Sequence, residues 1–142
     1  MLVSSGCTSQ SEIQFPVKAG VKPESITKGF TENYYVTIMN GKEDGDGEVV
    51  EISKNGVKVF AKGFDEPKGI VYLDGHLYFS DVTRIWKVDK DGNPEWGGSP
   101  PKNGVGRSIQ QISGGYIVCG YTRNYPNFGD GVLFKVDSDG NI

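Results

Sequence analysis

Apolar and polar positions alternate along this chain in short runs separated by turn residues. The clearest run is Pro67 to Gly92. Gly69 to Leu73 is β-prone, and Asp74-Gly75 is a strong two-residue hairpin turn. His76 to Ser80 follows, with Leu77 and Phe79 on one face and Tyr78 on the other. Arg84 to Asp89 supplies a further strand, in which Ile85 and Val88 fall on opposite faces. Apolar residues on both faces predict a sheet covered on both sides by neighbours.

The unit recurs on either side. Upstream, Pro23-Glu24-Ser25-Ile26 matches Pro67-Lys68-Gly69-Ile70, and Asn33 to Met39 takes the second-strand position. Val50 to Gly56 matches Trp86 to Gly92, and Phe134 to Asn141 repeats Trp86 to Asn93. Ser108-Ile109 and Gly115 to Val118 match the first two strands. Copies at a spacing of roughly 40 residues are the mark of a propeller-type array, in which each sheet buries its faces against the next. The fold expected is all-β: a partial β-propeller of about three four-stranded antiparallel blades. Its repeat units fall at about residues 20–63, 64–97 and 104–142 of a single domain, residues 12–142.

Composition sharpens this. The chain has 142 residues, of which 21 are glycine, spread over turns as many short strands require. Its formal charge of -3, without a dense basic stripe, gives no reason to expect a nucleic-acid partner. There is no transmembrane candidate. Closed propellers have at least about four blades, so self-association or the missing blades of a longer chain are the partners expected. Residues 1–11 read either as a flexible tail or as the remnant of a lipoprotein signal. Leu2 to Cys7 is similar to the end of such a signal, which would make the protein bacterial, extracytoplasmic and lipid-anchored through Cys7.

Local patterns carry further expectations. Glu12 to Val17 alternates moderately and reads as a strand ended by Pro16, placed to complete a distant blade. Asn40 to Gly47 is an acidic, glycine-rich loop in which Asp44, Asp46 and Glu48 stand at alternating positions. Such oxygens suit a divalent metal such as calcium, or simply a solvated turn. Asp89 to Gly92 and Asp137 to Gly140 carry the same two alternatives, with turn chemistry favoured by their recurrence. His76 reads as a turn residue, Trp96 as packing between blades, and Cys119 as a buried small hydrophobe. Thr122 to Gly131 reads as a polar insertion.

Pro67-Lys68-Gly69-Ile70, Leu77 to Asp81 and Arg84-Ile85 resemble the six-bladed propellers of the gluconolactonase, senescence-marker and NHL-repeat group. The resemblance covers about residues 23–93. Residues 96–141 are similar to a different bacterial propeller-type repeat, on Trp96 to Ser99, Ser108 to Gln111, Gly114 to Tyr121 and Phe134 to Gly140. The first resemblance implies that Asp81, at the end of a Tyr-x-x-Asp pattern, is either a metal ligand of a lactone-opening site or a strand-end carboxylate. Lys68 stands where such enzymes place an Asn-Gly pair beside proline. The functions expected are a non-catalytic repeat module with a binding or scaffolding role or, in the alternative, part of a metal-dependent sugar-lactone hydrolase.

Overall fold

Turn and strand signals become three antiparallel sheets in the computed structural model, which describes residues 12–41, 43–82, 84–98, 104–124, 127–137 and 139–141. The first sheet runs in chain order through β1 (Pro23–Lys28), β2 (Tyr34–Ile38), β3 (Gly47–Ser53) and β4 (Gly56–Phe64). β5 (Ile70–Leu73), β6 (His76–Ser80), β7 (Ile85–Val88) and β8 (Pro94–Gly98) form the second. β9 (Gly104–Ile112), β10 (Gly115–Asn124) and β11 (Asn127–Val136) form the third. The third sheet thus has three strands among the described residues, where four are expected. The sheets do not close on one another. A 3-10 turn at Phe30–Glu32 joins β1 to β2.

The hairpins follow from local chemistry. At Asp74-Gly75 both residues take positive φ, 44° and 75°, the backbone that a two-residue turn between twisted strands needs. The third hairpin of the second sheet closes on Asp89, whose Oδ1 accepts the amides of Asp91 (2.9 Å) and Asn93 (2.8 Å). Asp137 does the same with Asp139 and Asn141, both at 2.9 Å. Both carboxyls are held below the usual aspartate range, chiefly by hydrogen bonds from the backbone and side chain of Asn93 and Asn141 respectively. In the first sheet Ser53 occupies the matching place, and its Oγ accepts the Asn55 amide at 3.1 Å. The recurring acidic pattern is therefore used to shape turns.

Register sorts each strand onto two faces, and stacking the sheets buries both faces of the second. Leu77 pairs with Val88 and Phe79 with Trp86, and this face meets Tyr35, Val49, Ala61 and Phe64 of the first sheet. Tyr78 and Ile85 face the other way, onto Ile109, Tyr116, Val118, Phe134 and Val136 of the third. The two tyrosines Tyr78 and Tyr116 stack with ring centres 4.4 Å apart. The first strands lie side by side, β1 against β5 and β5 against β9. The Ile70 amide donates to Ser25 Oγ (3.4 Å), that of Tyr72 to Thr27 Oγ1 (3.3 Å), and that of Gly69 to the Arg107 carbonyl (3.1 Å).

Three local expectations are corrected. Residues 12–17 pair with no strand among the described residues: Pro16 has no N–H to give to a ladder, and the segment instead lays Ile13 and Val17, with Ala19 beyond it, over Val36, Ile38, Val50 and Ile52 on the outer face of the first sheet. Cys119 is exposed rather than buried, because strand alternation points it away from Val118, onto the face of β10 that no sheet covers among the described residues. Residues 122–124 and 127–131 extend the β10 and β11 strands, with Tyr121 opposite Gly131 and Asn124 opposite Asn127. Cys7 and the Trp96 side chain lie outside the described residues.

Candidate functional site

Glu24, Lys68 and Arg107 stand at matching places in the three repeats, each next to the first strand of its sheet or within it. Because those strands lie side by side, the three side chains meet at one end of the stack. Lys68 is 3% exposed. Its Nζ lies 3.0 Å from Glu66 Oε2 and 4.0 Å from Glu24 Oε1, and donates toward Met39 Sδ at 3.1 Å. Arg107 reaches the same Glu24 oxygen at 3.6 Å, and its guanidinium sits 5.3 Å from the centre of the Tyr121 ring. A buried ammonium needs such partners, since burial without them is far costlier. Sequence reading singled out none of Glu24, Lys68 and Arg107 as a site; the alignment of Pro23-Glu24 with Pro67-Lys68 was the available signal.

Asp81 lies at this end too, only 2% exposed. Its carboxylate accepts four hydrogen bonds: from the amides of Asp65 (3.0 Å), Glu66 (2.6 Å) and Val82 (2.8 Å), and from Trp86 Nε1 (3.1 Å). Carboxylate oxygens engaged in this way fix the connector between the first two sheets to the end of β6. Asp65 continues the chain of contacts, as its Oδ1 accepts the Gly45 amide at 3.0 Å.

The loop holding Asp44, Asp46 and Glu48 therefore rises beside this cluster. A turn at Asp44-Gly45 breaks the alternation that an extended strand would have kept. Asp44 is exposed, and Glu48 lies in β3 opposite Ile38 and Lys62. Asp46 folds back: its Oδ2 accepts the Gly41 amide at 2.8 Å, and its carbonyl accepts Asn40 Nδ2 at 2.8 Å. Asp46 Oδ1 is buried and accepts no hydrogen bond among the described residues. No group of three His, Cys, Asp or Glu side chains among the described residues is arranged to hold a metal ion.

The opposite end of the first two sheets carries a cleft of about 330 Å³ lined in part by Phe30, Phe60, Tyr72 and Glu51. Ring centres of Phe30 and Tyr72 are 5.0 Å apart, and those of Tyr35 and Phe60 4.8 Å. Glu51 is buried; burial alone would raise its pKa, but hydrogen bonds from Lys58 and Asn33, the Lys58 charge and the Tyr35 hydroxyl outweigh it and hold the carboxyl below the usual range. Burial, then the Glu51 charge, pushes the Tyr35 hydroxyl well above the ordinary tyrosine range. His76 lies on the second sheet, its Nδ1 2.9 Å from the Asp74 carbonyl and its Nε2 3.2 Å from Glu95 Oε1.

The end with Glu24, Lys68 and Arg107 thus presents Arg107, Glu24 and Glu66 as part-exposed charged groups around the buried Lys68 ammonium. No helix among the described residues is long and apolar enough to cross a membrane. No protein-family model matches the chain, and no curated protein matches it in sequence.

Proposed function

We propose that the chain is an arc of a β-propeller acting as a non-catalytic binding or scaffolding module. One observation carries this reading: the three sheets each start from a matching charged residue, and Glu24, Lys68 and Arg107 meet where the first strands run together. Strands radiating from a common inner edge are the geometry of propeller blades. The loop at residues 40–47 sits on a rigid scaffold beside this cluster, the arrangement in which loops serve recognition. Its partner contacts are polar and charged, made by Arg107, Glu24 and the loop's carboxylates.

The test replaces residues 41–46 with a short glycine-asparagine turn and adds Arg107→Glu in a second variant. Native partners are then recovered from the source extract on the immobilised chain, with circular dichroism checking that the sheets persist. Loss of a partner in both variants supports the reading. Equal recovery by all three chains overturns it. Metal-dependent opening of a sugar lactone that disappears in Asp81→Ala overturns it as well, in favour of the hydrolase alternative.

A further inference from the structure

The repeat gives each sheet a forward face, which meets the next sheet, and a back face, which meets the previous one. On the forward faces the same cross-strand pair recurs: Thr37 opposite Val49 in the first sheet, Ser80 opposite Ile85 in the second, and Cys119 opposite Leu133 in the third. Val49 and Ile85 are 0% and 1% exposed, whereas Leu133 is 70% exposed. On the back faces the matching residues are Ile26, Ile70 and Ile109. Ile70 and Ile109 are each 7% exposed, but Ile26 is 57% exposed.

In both internal interfaces these two positions pack together. Val49 shares a core with Ile70 and Phe79, and Ile85 shares one with Ile109 and Val118. The unmatched halves, Leu133 at one end and Ile26 at the other, are thus the two sides of a contact that the chain already makes twice. The back face of the first sheet also holds an open groove of about 300 Å³, lined by Ile26, Val36 and Ile52 and flanked by the exposed Phe15. Val36 is the counterpart of Phe79 and Val118. The segment carrying Val17 and Ala19 borders this groove without filling it.

We infer that the forward face of the third sheet docks on the back face of the first sheet of a second copy of this chain, with Leu133 and Cys119 entering the groove at Ile26 and Val36. The inference rests on the propeller-arc reading. A contact between two different faces is head-to-tail, closing into a ring or extending according to its rotation. Large exposed apolar positions at both ends favour it, since their burial drives association.

The experiment measures mass by light scattering over a dilution series of the whole chain and of Leu133→Asp and Ile26→Asp, both exposed positions whose change leaves the internal cores intact. The wild-type chain is expected at no less than twice its 15.4 kDa, dissociating on dilution. Each variant alone is expected at 15.4 kDa. Mixed, the two variants retain one intact junction, so a tag on one retrieves the other as a pair containing one of each. A wild-type monomer at every concentration overturns the inference. So does assembly that survives either substitution, or assembly lost in Leu133→Asp but kept in Ile26→Asp, which means a symmetric contact between third sheets. None of these outcomes alters partner recovery by the loop and Arg107 variants, so the two readings fail separately.

Discussion

The amide of Gly69 donates to the carbonyl of Arg107 at 3.1 Å, across the seam between the second and third sheets. A Cβ at Gly69 would lie 2.6 Å from that carbonyl oxygen and 2.7 Å from the Ser108 Cα, both backbone atoms that move only with their strands. Gly69→Ala is therefore expected to separate the inner edges and destabilise the fold by about 1–3 kcal/mol, the usual range for overpacking. Urea unfolding followed by tryptophan fluorescence checks this. An unchanged midpoint would mean that the seam is loose enough to absorb a methyl group.

Asp81 offers a sharper test, because the four groups bonded to its carboxylate are all donors. Asp81→Asn keeps the size but turns an N–H₂ toward the amides of Asp65, Glu66 or Val82 or the Trp86 indole. Bonds to a charged acceptor are worth about 1.5–3 kcal/mol each, and buried unsatisfied donors add to the loss. A loss of about 3 kcal/mol is expected, with a shift in Trp86 emission. A metal-ligand role would instead leave stability nearly unchanged in metal-free buffer.

Acid should weaken the first sheet through Glu51, whose partners Asn33, Tyr35 and Lys58 lie in or beside that sheet. Its folded-state pKa is depressed. A depressed carboxyl contributes stability above its unfolded value, near pH 4.3 for glutamate, and that contribution is lost as pH falls through the folded value. Thermal melts from pH 7 down should show stability falling below about pH 4.3. Glu51→Gln should start less stable at pH 7 and show a shallower decline over the same window. Parallel declines in the two proteins would assign the acid sensitivity to other carboxyls.

Cys119 should react with a thiol reagent without unfolding. In a Cys7→Ser chain at high dilution, one label per chain is expected in native buffer, because Cys119 lies on the uncovered face of β10. Labelling only after denaturant is added would put it inside a core.

What the sequence determined by itself was local. Asp74-Gly75 and Asp89 to Gly92 specify their hairpins through backbone preferences and Asx bonds that need no distant partner. Alternation put Leu77 and Phe79 on one face and Tyr78 on the other, and set Ile85 against Val88, because the side-chain period of a strand is two. Even the triple recurrence of the sheets was legible, since each copy repeats the same strand and turn signals. The order in which faces stack was not. Cys119 sits among apolar residues in sequence, yet its exposure depends on which face of β10 is packed: the second sheet covers the Val118 face, and Cys119 points the other way. Asp81 carries the same pattern whether its carboxylate binds a metal or four donors; the connector at Asp65 and Glu66, some 15 residues away, settles its contacts. Residues 12–17 alternate like a strand but, with Ala19 beyond them, cover a face, because the outer apolar residues of β2 and β3 needed burial more than an edge needed pairing. The meeting of Glu24, Lys68 and Arg107 is likewise tertiary: residues more than 80 positions apart come within 4 Å only because three sheets stack with their first strands side by side.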